Sequence, residues 1–347
     1  EAGIQKMGVR TVTKEEVVNS MIPIWQRSKK EASDADCIAF YKEKFKDTED
    51  PVSVIRVNAE GTVSYRAMLF VPAKAPYDYY TRDYVPGLRL YSNGVMIMEK
   101  CPDLLPECFR FVRGIVDSPD LSLNISREML QHDRQLRIIA QNLNKRIKNE
   151  LVKMLESDRP KYEKFYKNYG RQLRYGAVAN YGQNVQSMSD LLLYRVDVDK
   201  TRTLKEYTDA MPSGQEKIYY AVGDSVSRTL HLPQAELVRS KGYELLCMTD
   251  EVDEFIVQQL GTYAEKPFCN IVTDDLGLES EEERADIEKR EEDAKETLDF
   301  VRETLDGRVA KVKLSHKLVS APVCLTTEGS VTLEMERYFR SMPDTGL

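Results

Sequence analysis

One row of apolar residues constrains this 347-residue chain more than any other feature: Leu130, Leu136, Ile139, Leu143, Ile147, Leu151 and Met154. Most of the intervals are three or four, which collects the side chains on one face of a helix. Ser126 is a good N-cap ahead of the row, and Pro160 marks its end. The spacing therefore predicts one amphipathic helix of roughly eight turns over residues 126–157. Its apolar stripe needs a core to face.

The strands around it are shorter. Residues 52–72 read as two strands joined by a turn at Asn58 to Gly61 and ended by Pro72, and residues 87–98 as a further pair broken near Asn93 and Gly94. Residues 105–116 have helical spacing, giving a mixed α/β domain. KYEKFYKNYGRQLRYG and SMSDLLLYRV predict shorter helices, with Gly170, Gly176 and Gly182 as breaks. A second α/β unit follows: IYYAVG is a buried strand, AELVRSKG a helix closed by Gly242, and YELLCMTD another strand. That order suggests a right-handed parallel crossover. Beyond residue 273, a charged helix carries a capping box, Ser280 with Glu283, and an apolar stripe at Ile287, Ala294, Leu298, Val301 and Leu305. VAKVKLSHKL then alternates as a half-buried strand, with His316 on its apolar face.

Composition narrows the function. The net charge of -7 is local: residues 274–306 hold 15 acidic against 5 basic side chains, so the remainder is about +3. Short basic runs such as NKRIKNELVK lie along a helix, and no clustered basic face speaks for nucleic acid. No apolar run is long enough to span a membrane, and the first residues lack a secretory h-region, so the expected location is cytoplasmic. Six scattered cysteines and three distant histidines fit reduced core thiols and structural imidazoles better than a disulfide framework or a metal site. G-x-x-x-x-G-K-[ST], G-x-G-x-x-G, G-x-S-x-G and H-E-x-x-H are all absent, so no common nucleotide cradle or hydrolase signature is encoded.

One cation stands out against this background. Arg127 falls at or near the first position of the long helix, where unpaired N–H groups and the macrodipole already carry about half a positive charge. With Gln131 four residues on and Asn124 before the cap, it forms a set of donors suited to a phosphate. The alternative is an arginine paired with Asp117 or Asp120 of the preceding loop. Spacing alone leaves both open.

The run FVRGIVDSPDLSLNISREMLQ, residues 111–131, closely resembles the middle-domain signature of the heat-shock protein 90 chaperones. IPIWQR, FYKEKFKDTEDP, RAMLFVPAKAPYDYY, KYEKFYKNYG, GQEKIYYAVGDS and GYELLCMTDEVDEF match as well, and the likeness runs from about residue 15 to the end. It implies an α/β architecture made of a large αβα sandwich (residues 1–157), a short helical bundle (158–192), a small αβα unit (193–272) and a truncated α/β C-terminal domain (273–347). It also implies a separate N-terminal domain that binds ATP with Mg2+, unfolded or partly folded client proteins as partners, and a homodimer in the full-length protein. This stretch alone is expected to bind no nucleotide and to be inactive.

Carried over by position, Arg127 matches the family's catalytic-loop arginine, which reaches the ATP γ-phosphate; Gln131 matches its partner glutamine and Asn124 the loop asparagine. Trp25, Phe255, Met335, Tyr338 and Phe339 match apolar positions linked to client contact, although core packing would explain them too. The chain departs from the family where V-x-R-V-F-I-M is usual. It reads SNGVMIM there, with Gly94 in place of arginine and Met96 in place of phenylalanine, which leaves open how the catalytic loop is buttressed.

Overall fold

A computed structural model describes residues 22–121, 134–182, 184–250, 252–278, 281–315 and 317–326. The chain divides into two compact units. One takes in the chain up to Ala73 with Tyr80–Leu104 and Val112–Leu143; the other takes in Lys74–Tyr79, Leu105–Phe111 and everything from Asn144 onward.

The first unit is built on a five-stranded sheet of β1 (Ser53–Ala59), β2 (Tyr65–Val71), β3 (Leu88–Ser92), β4 (Val95–Cys101) and β5 (Arg113–Asp117), in the order β1-β2-β5-β3-β4. The predicted strand pairs over residues 52–72 and 87–98 are both present, β1 antiparallel to β2 and β3 to β4. Asn93 and Gly94 close the second hairpin with φ of 49° and 79°, the left-handed geometry that favours Asn-Gly. Helix α1 (Asp34–Phe45), started by a capping box between Ser33 and Asp36, lays Cys37 and Tyr41 on Met68 and Phe70.

Residues 105–116 are not a helix. Glu107–Phe109 make a single 3-10 turn and β5 follows, between β2 (antiparallel) and β3 (parallel). A short apolar run bounded by turns fits a central strand as well as a helix, and here pairing on both edges decided it. Gly114 permits this, because a Cβ there would meet the Met68 carbonyl oxygen at 2.4 Å.

The long helix is present as α2 (Arg134–Ser157), with Leu136, Ile139, Leu143, Ile147, Leu151 and Met154 all buried; residues 126–133 of the prediction lie outside the described residues. Pro160 sits in the first turn of the next helix, α3 (Arg159–Gly182), where its missing N–H costs nothing. α3 runs straight through Gly170 and Gly176, and only Gly182, at φ 74°, ends it. Gly176 serves contact rather than a break: a Cβ there would lie 2.3 Å from Cys108 Cβ.

SMSDLLLYRV divides into α4 (Val185–Met188), a 3-10 turn at Ser189–Leu191 and strand β6 (Tyr194–Asp197), so its predicted helix is only one turn long. The second sheet has the order β10-β11-β8-β9-β6-β7, adding β7 (Lys200–Arg202), β8 (Ile218–Val222), β9 (Leu246–Met248), β10 (Thr262–Tyr263) and β11 (Lys266–Asn270). α5 (Leu204–Asp209) follows β7, and β8 and β9 are parallel as expected, with α6 (Val226–Leu230) and α7 (Pro233–Ser240) between them. Ala235 and Val238 of α7 pack with Tyr219, Ala221, Leu245 and Cys269. α8 (Asp253–Leu260) precedes β10.

The predicted acidic helix is two, α9 (Glu281–Asp293) and α10 (Lys295–Thr304), and Ser280 of its capping box lies outside the described residues. Alanine is the best helix former, so the break at Ala294 has no basis in propensity. The stripe is poorly covered: α10 has no buried residue, and Val301 and Leu305 are 38% and 37% exposed. Residues 310–315 and 317–318 are not a strand. Val312 and Leu314 are less exposed than Lys311, Lys313 and Ser315, so the alternation persists, but a strand also needs a backbone partner and none pairs with it among the described residues. His316 itself is outside the described residues.

Candidate functional site

Among the described residues, the site centres on the C-terminal end of β5, where the chain leaves the sheet toward Arg127. Asp117 is the last residue of the strand and is buried. Its Oδ2 accepts from Trp25 Nε1 at 3.0 Å and from Gln26 Nε2 at 2.8 Å, and its Oδ1 accepts from the Gly94 backbone N–H at 3.2 Å. A buried carboxylate needs such donors, because an unmatched charge in that setting is expensive.

Three of the next four residues are fastened too. Ser118 donates its backbone N–H to the Tyr91 carbonyl (3.1 Å) and its hydroxyl to the Ser64 carbonyl (2.7 Å). Asp120 Oδ2 accepts from Ser64 N at 2.7 Å. The Leu121 carbonyl accepts from the buried Ser92 hydroxyl at 2.6 Å. The strand end and loop base are thus held by a segment near residue 25, by the residues around the β3–β4 turn, and by Ser64 ahead of β2. The segment near residue 25 is itself pinned, because Arg56 donates to the Arg27 and Ala32 carbonyls and Arg66 to the Gln26 carbonyl.

Arg127, Gln131 and Asn124 lie outside the described residues, as do Met335, Tyr338 and Phe339. Trp25 is half-buried, with its ring 5.0 Å from Tyr91 and 6.0 Å from Phe40 between centroids. Phe255 is half-buried on α8. The two acids named as alternative partners for Arg127 both accept other hydrogen bonds, Asp117 three and Asp120 one.

Ser92, Gln26, Ser64 and Ser118 did not stand out in the sequence. The available signal was Ser92, a polar residue on a strand whose neighbours Leu90 and Tyr91 are apolar, since such a residue needs a partner if it is buried. Cys37, Cys101, Cys108, Cys247 and Cys269 are buried free thiols and Cys324 a half-buried one; burial pushes the Cys108, Cys247 and Cys269 thiols up to about 12. A separate cleft of about 580 Å3, between α7 and residues 320–321, is lined by Leu230, His231, Pro233, Glu236 and Arg239. It contains none of the residues singled out from sequence. No described helix is long and apolar enough to cross a membrane.

This architecture is that of a chaperone middle domain, and the chain belongs to the Hsp90 protein family, whose family model matches residues 2–344. It is 48% identical to the chaperone protein HtpG of Bacillus subtilis over 335 residues, which is 96% of this chain and 54% of that protein. It is 49% identical to HtpG of Clostridium perfringens over 331 residues, 95% of this chain and 53% of that one. The chain therefore spans about half the length of the curated relatives it matches. Among solved structures, the middle domain of a Plasmodium falciparum heat shock protein superposes with a TM-score of 0.64 at 26% identity, covering 72% of this chain and all of that one.

Proposed function

We propose that this chain is the middle segment of an ATP-dependent chaperone and supplies Arg127 to the γ-phosphate of ATP held, with Mg2+, by a separate N-terminal domain. One observation carries the reading: the residues that lead into the Arg127 segment are fixed at Asp117, Ser118, Asp120 and Leu121 by bonds from three parts of the sheet unit. ATP and Mg2+ bring the scissile bond and neutralise part of its charge. Arg127 stabilises the charge that develops on the phosphate oxygens, and such a group works only when positioned beforehand. Gln131 and Asn124 assist it as polar donors in the same segment.

Client proteins are the second ligand class in this reading, with Trp25, Phe255, Met335, Tyr338 and Phe339 contributing apolar contact and the full-length protein acting as a cytoplasmic homodimer. The exposed apolar side chains of α10 fit a surface of this kind.

Steady-state ATPase assays of the full-length protein test the proposal. Arg127→Ala is expected to lower kcat on the order of 10² or more while the KM for ATP holds. A variant within a factor of two of wild type would show Arg127 to be structural only.

A further inference from the structure

We propose that Ser92 is a positioning residue for the loop that carries Arg127, acting through its hydroxyl on the Leu121 carbonyl. The inference rests on the reading of Arg127 given above and adds a residue to it.

The geometry is specific. Ser92 is the last residue of β3 and is fully buried. Its Oγ donates to the Leu121 oxygen at 2.6 Å across 29 positions of sequence. Two backbone contacts from the same end of β3 lie alongside: Tyr91 O accepts from Ser118 N, and Gly94 N donates to Asp117 Oδ1. Tyr91, Ser92 and Gly94 of the hairpin therefore grip residues 118, 121 and 117. In the pattern V-x-R-V-F-I-M, Ser92 stands at the valine and Gly94 at the arginine. A valine at position 92 would have no donor for the Leu121 carbonyl.

The Leu121 bond differs from the others in position. It fixes the Leu121 carbonyl, the last described group ahead of Arg127 in sequence. Arg127 is six positions further along the chain, so at most about 20 Å of fully extended chain lies between them. A misplacement of about 1 Å at a catalytic group can cost on the order of 10² in rate, so an anchor this near Arg127 in sequence has leverage on it. Asp117, Ser118 and Asp120 are held further upstream, and the Ser92 bond is the anchor nearest Arg127 in sequence.

The test uses the full-length protein with Ser92→Ala, Ser92→Thr and, as a reference, Arg127→Ala. The readouts are kcat, the KM for ATP, and the melting temperature. The proposal expects kcat of Ser92→Ala to fall threefold or more with the KM for ATP held and the melting temperature modestly lowered, since the Leu121 carbonyl loses its donor, and Ser92→Thr, which keeps the hydroxyl, to restore both. Hydrogen exchange on the same protein should quicken in residues 118–133 before it does elsewhere. If kcat of Ser92→Ala changes by less than threefold while Arg127→Ala loses tenfold or more, the positioning role is overturned and the reading of Arg127 stands. If neither substitution affects kcat, both fail. If kcat and melting temperature drop together and Ser92→Thr does not restore them, Ser92 is a packing residue and the proposal is overturned.

Discussion

Arg174 and Asp253 form a buried ion pair inside the second unit, Nε to Oδ1 at 2.6 Å, with side chains only 12% and 1% exposed. The guanidinium also donates to the Leu193 carbonyl at 2.7 Å and lies within 5.7 Å of the ring centroids of Tyr166 and Tyr194. It thereby ties α3 to α8 and to the residues entering β6. Removing one partner strands the other's charge in an apolar setting, which costs about 3–5 kcal/mol. Arg174→Met is expected to lower unfolding stability by that amount in urea titrations. Lys42 and Asp50 sit equally close at 2.5 Å but are 40% and 63% exposed, so Lys42→Ala should cost at most about 1 kcal/mol. Equal losses for the two would show that burial does not set the strength of the first pair.

Gly176→Ala tests the packing of α3. A mid-helix glycine replaced by alanine normally gains about 1 kcal/mol from propensity. Here the new methyl would lie 2.3 Å from Cys108 Cβ and 2.4 Å from its Cα, where backbone must move. Overpacking of that kind costs about 1–3 kcal/mol, so the expected net effect is destabilising, and a lower melting temperature would confirm it. A raised melting temperature would mean that the Glu107–Phe109 turn yields freely.

That same glycine shows where sequence reasoning stopped. A glycine in a helical pattern looks alike whether it ends the helix or admits a neighbour, and the neighbour, Cys108, is 68 positions away. The strand pairs of residues 53–71 and 88–101 were legible because their turns are local and their alternation is intrinsic. β5 and β6 differ from the sequence expectation because short apolar runs have no period of their own; β5 takes its ladders from distant strands, and β6 pairs mainly with β7 just after it. For the site, the role proposed for Arg127 rests on likeness to a family. Its anchoring was not legible, since the three donors to Asp117 come from 92, 91 and 23 positions away.

Glu244 makes stability depend on pH. Burial opposes its ionisation, but hydrogen bonds from Arg202 and Lys200 outweigh that and hold its carboxyl below the usual 4.5. The folded state thus releases this proton more readily than the unfolded chain. Its contribution is present above about pH 4.5 and is lost as pH falls through the lower folded value. Glu244→Gln should cost up to about 1 kcal/mol at pH 7, the range of partly exposed pairs. The gap between variant and wild type should narrow at pH 3 in urea titrations, and a gap that is constant with pH would exclude the charge as its cause.

Asp117→Asn probes the loop base directly. Asparagine keeps one acceptor oxygen and replaces the other with an NH2 group, so wherever the amide settles it turns a donor toward Trp25 Nε1 and Gln26 Nε2, or toward Gly94 N–H. Two opposed donors in a buried site leave at least one polar group unmatched, at about 1–3 kcal/mol. Trp25 is the only tryptophan in the chain, so its emission reports this site alone. The variant is expected to shift Trp25 fluorescence and lower the melting temperature, and in the full-length protein to reduce kcat by at least tenfold without changing the KM for ATP. Unchanged emission would show that the indole does not depend on the carboxylate. A normal kcat beside shifted emission would show that the strand end can move without disturbing the residues that follow it.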